Sequence, residues 1–100
     1  MTIPATDEEI LQKLSAILYE ALRVPADKVQ TEARLFGDYG AESIDILDIR
    51  FRIEESFGFK IQEGEIIKSI APDLSVEELK ELFTVGSIVA FIRQKTAGSA

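Results

Sequence analysis

Apolar residues recur every three to four positions along most of this 100-residue chain, and no stretch alternates polar and apolar residues as a half-buried strand does. The spacing therefore predicts amphipathic helices that bury one face each. The first helix is predicted over residues 7–22, opening on a capping box from Thr6 to Glu9 and ending before Val24-Pro25. Its apolar face consists of Ile10, Leu11, Leu14, Ile17, Leu18, Ala21 and Leu22.

A second helix is predicted from Ser43, which can cap it, to about Phe57, with Gly58 ending it. This helix is more apolar than one buried face requires, so it is either buried on two sides or meets partners along part of its surface. The core stripe is Ile46, Ile49, Ile53 and Phe57, and the apolar flank is Ile44, Leu47 and Phe51.

Residues 23–42 form an unusually long connection between these two helices. Pro25 to Val29 are expected to hold a short turn of helix with the proline at its first position. A loop of this length usually signals function or disorder. Three apolar anchors favour an ordered loop: Leu35, Phe36 and Tyr39.

The C-terminal part of the chain carries three more helix signals. Ile66, Ile67 and Ile70 predict a short helix closed by Ala71-Pro72. A capping box at Ser75–Glu78 starts a helix with Val76, Leu79, Leu82 and Phe83, and Thr84 caps a last helix with Val85, Ile88, Val89 and Ile92. Residues 96–100 are expected to be a frayed tail. The prediction is an all-α bundle of about four helices in a single domain over residues 1–100.

Composition excludes several kinds of chemistry. The chain has no Cys and no His, so it cannot build a zinc finger, a disulfide, a Cys or His nucleophile or a Ser-His-Asp triad from its own side chains. Eighteen acidic residues against eleven basic ones give a net charge of −7, which disfavours nucleic acid as a ligand and favours basic partners. With no signal peptide and no apolar run of about 20 residues, a cytoplasmic protein without a membrane span is expected.

Ser43 is the residue that combines the most signals for function. A serine at a helix start is most often only a cap, but here a long loop leads to it, and both carboxylates and apolar side chains gather around it. A phosphodiester on Ser43 would lie at the positive end of the helix dipole and would hold a flexible arm beside the apolar flank. The carboxylates are Glu42, Asp45 and Asp48.

The segment Gly40-Ala41-Glu42-Ser43-Ile44 and the helix after it resemble acyl carrier proteins. The family motif, Gly-x-Asp-Ser-Leu before a helix of the form Asp-x-x-Glu-Leu-x-x-x-Leu-Glu-Glu-x-Phe, is matched at residues 40–45, 48–49, 53–55 and 57. Segments 35–40 and 84–89 are similar to the family's loop before the motif and to the start of its final helix. The resemblance covers nearly the whole chain apart from about 66–83.

The resemblance implies that Ser43 carries 4′-phosphopantetheine, transferred from coenzyme A by a Mg-dependent phosphopantetheinyl transferase. The thiol of this arm would bear an acyl group as a thioester, so the chain would be a carrier and not an enzyme, with no catalytic or metal site. The implied partners are enzymes with basic patches, such as an acyl-ACP synthetase, a ketosynthase or an acyltransferase, and a monomer is expected. The implied recognition residues are Glu42, Ile44, Asp45, Leu47, Asp48, Phe51, Glu54 and Glu55.

Three features depart from the family pattern. Glu42 and Ile44 replace the usual Asp and Leu. Arg50 and Arg52 add cations to the recognition helix, either pairing with Asp48 or Glu54-Glu55 or narrowing the choice of partners. An additional helix is inserted at about 66–83, either as a neutral lengthening of a loop or as a change to the cargo pocket or partner surface.

The pathway and two other functions remain open from the sequence. A weak similarity to carriers of very-long-chain acyl groups for lipid A suggests specialised lipid biosynthesis, whereas an aminoacyl or peptidyl carrier, of the D-alanine or nonribosomal type, shares the same attachment chemistry. The other alternative is an acidic helical adaptor in which Ser43 is only a helix cap.

Overall fold

The computed structural model describes residues 6–62, 65–70 and 75–98. Within these ranges the chain is helical, and its only β-type pairing is an isolated antiparallel bridge between Arg34 and Thr84. A single turn of 3-10 helix lies at Ala26–Lys28, with Pro25 as its preceding cap and not as its first residue. The α-helices are α1 (Asp7–Leu22), α2 (Ser43–Phe57), α3 (Glu65–Ile70), α4 (Val76–Leu82) and α5 (Val85–Gly98).

Helix α1 has the bounds that its sequence predicts. The Thr6 hydroxyl accepts the backbone N–H of Glu9 at 3.2 Å, which satisfies one of the amides that a helix start leaves unpaired. At the other end Arg23 adopts a left-handed conformation (φ 61°), and its N–H donates to the Tyr19 carbonyl at 2.8 Å. The proline two residues later cannot continue the helix.

The hydrophobic core lies where α1 packs against α2 and α5. Burying one such aliphatic side chain stabilises the fold by about 1.5–3 kcal/mol before entropy costs are counted. The predicted core stripe of α2 divides accordingly: Ile49 and Ile53 are buried, whereas Ile46 and Phe57 are half-buried against the core. The side chains with no exposed surface include Ile10, Leu14, Leu18, Ile53, Val85, Ile88 and Ile92.

The additional segment around α3 and α4 is part of the core and not a neutral loop. Phe83 is 1 % exposed, Ile66 5 % and Leu79 9 %. The predicted capping box of α4 is confirmed, with the Ser75 hydroxyl accepting the Glu78 N–H at 3.2 Å. Phe83, however, lies one residue beyond the helix in extended conformation, which frees its carbonyl to pair with the loop before α2.

Residues 96–98, which were expected to belong to a frayed tail, are helical. Helix α5 continues to Gly98, and the Thr96 hydroxyl donates back to the Arg93 carbonyl at 3.1 Å. Its start is capped as predicted, because the Thr84 hydroxyl accepts the Ser87 N–H at 3.2 Å. The predicted break at Ala71-Pro72 lies outside the described residues.

Candidate functional site

Ser43 is the first residue of α2 and not its cap. The capping position belongs to Glu42, which has extended backbone angles and donates its N–H to the Asp45 carboxylate at 2.8 Å. The Ser43 side chain is exposed, and its hydroxyl makes no hydrogen bond within the described ranges. The predicted role of Ser43 as a cap is therefore wrong, because a carboxylate one turn further along satisfies the helix start instead. Its hydroxyl is left available for chemistry.

The loop that leads to Ser43 is held by backbone hydrogen bonds to the segment 83–86, where α5 begins. Leu35 is fully buried, and its N–H donates to the Phe83 carbonyl at 2.9 Å. The Ala41 N–H then donates to the Leu35 carbonyl at 2.9 Å, so the residue two positions before Ser43 is held by the core. The predicted anchors Phe36 and Tyr39 also pack against the core, and the Tyr39 hydroxyl donates to the Lys28 carbonyl at 2.8 Å.

A charged cluster ties the same loop to α4, and the sequence did not single it out. The Arg34 guanidinium pairs with Asp38 at 3.3 Å and with Glu81 across the fold. The Arg34 backbone N–H donates to the Asp38 carboxylate at 2.7 Å, and this bond, more than the ion pair, holds the pKa of Asp38 below its ordinary value. The four-residue spacing of Arg34 and Asp38 was a usable signal, whereas nothing in the sequence pointed to Glu81.

Three large apolar side chains next to Ser43 are open to solvent. Ile44 is 72 % exposed, Leu47 44 % and Phe51 50 %. Their spacing of three and four residues places all three on one side of α2. These are the residues that the sequence proposed as a partner-facing flank, and the fold leaves them unburied.

The predicted acidic strip along α2 is largely engaged within the molecule. Asp45 accepts the Glu42 N–H, and Glu54 accepts the Ile61 N–H at 2.7 Å. Asp48 pairs with Arg52 at 3.1 Å. Glu55 is exposed and has no hydrogen bond or ion pair in the described part of the chain. The strip thus offers partners fewer free carboxylates than its sequence suggests.

The two arginines of α2 lie on opposite edges of the helix. Arg52 pairs with Asp48, one of the options the sequence offered, and also with Glu20 on α1, which raises its pKa further after the larger effect of Asp48. Arg50 forms no ion pair among the described residues; its guanidinium carbon lies 4.9 Å from the centre of the Phe51 ring. The predicted pairing with Glu54 or Glu55 does not occur there.

The described residues contain neither a cluster of metal-ligating side chains nor a helix long and apolar enough to cross a membrane. The start of α2 offers an exposed hydroxyl, a helix N-terminus and an apolar flank. A helix N-terminus favours an anionic group placed beside it.

Comparisons with known proteins agree with this geometry. Residues 12–92 match the family model described as "Phosphopantetheine attachment site". The chain is 34% identical over 91 residues to the acyl carrier protein of Thermotoga maritima, covering 91% of this chain and 96% of that one. It is 36% identical over 89 residues to the acyl carrier protein of Thermosynechococcus vestitus, covering 89% and 94%. A third similar protein is the acyl carrier protein of Borreliella burgdorferi, at 32% identity over 89 residues, 89% of this chain and 95% of that one.

Proposed function

The chain belongs to the acyl carrier protein family, and on that premise we propose that Ser43 carries its 4′-phosphopantetheine group. Members of the family hold acyl groups as thioesters on this arm and present them to other enzymes. The protein thus acts as a carrier and as a substrate of its partners, in fatty acid or a specialised lipid biosynthesis in the cytoplasm.

The observation that carries the proposal is the free, exposed hydroxyl of Ser43 at the first position of α2. Because Glu42 and Asp45 satisfy the helix start, modification of this hydroxyl breaks no hydrogen bond of the described fold. The phosphodiester would lie beside the unpaired backbone N–H groups and the positive end of a 15-residue helix. The adaptor alternative needs Ser43 as the helix cap, and Ser43 does not occupy that position, so this geometry favours attachment.

The chain's own residues fit such a group. Because the chain has no Cys and no His, it has no thiol or imidazole of its own. The bound arm would provide the thiol that holds the acyl group. The ordered loop before Ser43 fixes where the arm begins, because Leu35 and Ala41 tie it to the core. The exposed flank of Ile44, Leu47 and Phe51 gives an apolar surface beside the attachment point.

Partners are expected to dock along α2. The phosphopantetheinyl transferase must reach Ser43, and enzymes with basic patches would meet the remaining negative charge of the helix. The exposed apolar flank supplies the contact area, and Glu42 and Glu55 are its exposed acidic neighbours. Asp45, Asp48 and Glu54 shape this surface mainly through their internal bonds.

Intact mass spectrometry tests the attachment directly. The apo-protein is incubated with coenzyme A, Mg²⁺ and a broad-specificity phosphopantetheinyl transferase, and the mass is compared with that of Ser43→Ala. Ser56→Ala is the matched control, because Ser56 is an exposed serine at the other end of the same helix. We expect wild type and Ser56→Ala to gain one arm and Ser43→Ala to gain none. A gain that persists in Ser43→Ala would place the arm elsewhere.

A further inference from the structure

Arg50 is the one described residue whose buried side-chain nitrogen has no hydrogen-bond partner. Its Nε is covered, yet no acceptor within the described ranges takes its proton. Burying an unpaired guanidinium N–H is costly, because the group loses its bonds to water and gains none in return. Such a nitrogen calls for an acceptor from outside these residues.

The remaining contacts of Arg50 are weak enough to be replaced by bonds to a bound group. Nη1 donates to the Ile61 carbonyl at 3.5 Å, which is long for a hydrogen bond. The guanidinium otherwise rests on the ring of Phe51, which is itself half exposed. Although the chain has eighteen acidic residues, none pairs with Arg50 among those described. Arg52, on the same helix, pairs with two carboxylates. The lack of an ion pair at Arg50 therefore comes from its position and not from its being an arginine.

Arg50 also lies on the same face of α2 as Ser43. The two residues are seven positions apart, which is two helical turns and about 10 Å along the axis. Arg50 borders the segment that contains Ile61, on the opposite edge of α2 from the Arg52–Glu20 pair. Toward the end of α2 an open groove of about 550 Å³ is lined by Phe51, Glu54, Glu55, Gly58, Phe59 and Lys60. A group that extends from Ser43 along α2 toward this groove passes Arg50, whose guanidinium rests on Phe51 at the start of the groove.

We propose that the Arg50 guanidinium binds a carbonyl oxygen carried on the phosphopantetheine arm or on its acyl cargo. The proposal rests on attachment at Ser43. Such an oxygen has two sources, the amide groups of the arm itself and an oxo group on the acyl chain. Either one gives Nε and a terminal nitrogen the acceptor that the described residues do not supply, and Arg presents these two donors side by side. Arg50 is half-buried, and a group tethered at Ser43, two helical turns away, is present at a higher effective concentration there than a carboxylate of a partner protein.

Arginine side-chain NMR distinguishes the sources. The Nε–Hε cross-peak of Arg50 is recorded in the apo, holo, hexanoyl and 3-oxohexanoyl forms, each verified by intact mass. A shift on conversion from apo to holo identifies the arm as the source. A shift in the 3-oxohexanoyl form but not in the hexanoyl form identifies the cargo. The Arg52 cross-peak is the internal control and is expected to stay constant, because both of its carboxylate partners belong to this chain.

The variant Arg50→Gln tests the same inference by stability. We expect its apo form to fold like wild type, because the side chain makes no strong bond there. The Tm is then measured for the apo form and for whichever loaded form shifts the Arg50 cross-peak. We expect loading to raise the Tm of wild type and of Arg52→Gln, and to raise the Tm of Arg50→Gln by less. Loss of one charge-assisted hydrogen bond should make the population with the arm or cargo bound at residue 50 about tenfold smaller in the variant.

Three results would separate failure of this inference from failure of the proposed function. No mass gain on the wild type defeats attachment itself. A confirmed gain with an unchanged Arg50 cross-peak in every form overturns the role of Arg50. A cross-peak that shifts only when a partner enzyme is added overturns it as well, and assigns Arg50 to protein docking.

Discussion

At the scale of single residues, the start of α2 depends on Asp45. Its carboxylate accepts the Glu42 N–H at 2.8 Å and lies in the first turn, where negative charge is favoured. We expect Asp45→Ala to lower the free energy of unfolding by about 1 kcal/mol, since it removes the bond that holds the helix start. Urea unfolding of the apo-protein, followed by circular dichroism, measures this difference.

Two variants control for that effect. Asp45→Asn keeps an acceptor oxygen and should lose less stability than Asp45→Ala. Glu55→Ala removes an exposed carboxylate of the same helix that has no partner in the described structure, and should change stability by about 0.5 kcal/mol or less. Equal losses in Asp45→Ala and Glu55→Ala would contradict the capping role of Asp45.

The same residues show why the sequence predicted where α2 begins but not which residue caps it. Serine is a preferred capping residue, and Ser43 stands immediately before the apolar pattern of α2. The alternative is a cap one residue earlier, at Glu42. It requires a carboxylate three residues further on that accepts the N–H of the capping residue, and Asp45 is at that position only when Glu42 is the cap. Both arrangements have good local chemistry, and a shift of one residue is below what periodicity resolves. The structure chooses the arrangement that leaves the serine hydroxyl unbonded.

At the scale of elements, the segment between α2 and α5 contributes to the core through Phe83. Its ring is 1 % exposed and packs on Phe36 with 5.8 Å between ring centres. We expect Phe83→Ala to cost about 3–5 kcal/mol, because a large cavity opens under the loop that leads to Ser43. Its neighbour Leu82 is 50 % exposed, so Leu82→Ala should cost about 1 kcal/mol or less. Chemical unfolding of both variants makes the comparison.

A loss confined to Leu82→Ala, or equal in the two variants, would contradict this placement of the segment. Phe83→Leu offers a milder change if Phe83→Ala fails to fold. The result also bears on the cargo-pocket hypothesis for residues 66–83, which stays a prediction. Because this segment holds buried side chains, that hypothesis is better tested by point substitutions at its exposed positions than by deletion.

The attachment of α3 to α5 should depend on pH. Glu65 pairs with Lys95 at 2.6 Å and accepts the Gln62 N–H at 2.9 Å, and both effects, the lysine first, lower the pKa of Glu65 from its ordinary value of 4.5. A carboxyl whose pKa is lower in the folded state stabilises the fold above its unfolded-state pKa. That contribution is lost as the pH falls from 4.5 toward the lower folded-state pKa.

The variant Glu65→Gln isolates this contribution. We expect wild type to exceed it in unfolding free energy at about pH 7, and the difference to shrink at about pH 3. Urea titrations at the two pH values give the comparison. A difference that stays constant across this range would mean that the charge of Glu65 does not contribute to folding.

How much of each element the sequence predicts depends on whether its determinants are local. Helix α1 has both ends marked by nearby residues, Thr6 and Pro25, and its predicted bounds are confirmed. The end of α5 was predicted too early, because small residues and Gly98 suggest fraying when considered without the helix that precedes them. Pairings across the fold, such as Arg52 with Glu20 and Arg34 with Glu81, depend on packing angles that no local pattern specifies.

At the scale of the whole molecule, the net charge of −7 has different effects on long-range attraction and on close recognition of partners. Several carboxylates of α2 are neutralised by Arg52 or engaged by backbone N–H groups, so the charge count overstates what a partner meets there. Long-range attraction nevertheless responds to every charge within a screening length, whereas close recognition responds to the free ones. Total charge should therefore govern how fast partners arrive, and Glu55 should contribute more than an equal charge on an element other than α2.

The salt dependence of modification by the transferase tests this distinction. Raising NaCl from about 50 mM to about 500 mM shortens the screening length to about 4 Å, so kcat/KM for the wild type should fall. Glu55→Gln and Glu77→Gln each remove one exposed carboxylate, on α2 and on α4 respectively. Because both variants change the net charge equally, only position can separate them. We expect Glu55→Gln to lower kcat/KM more at low salt and to flatten its salt dependence more than Glu77→Gln does. Equal effects would mean that net charge alone attracts the enzyme, and no effect of salt would remove electrostatic attraction from the account of docking.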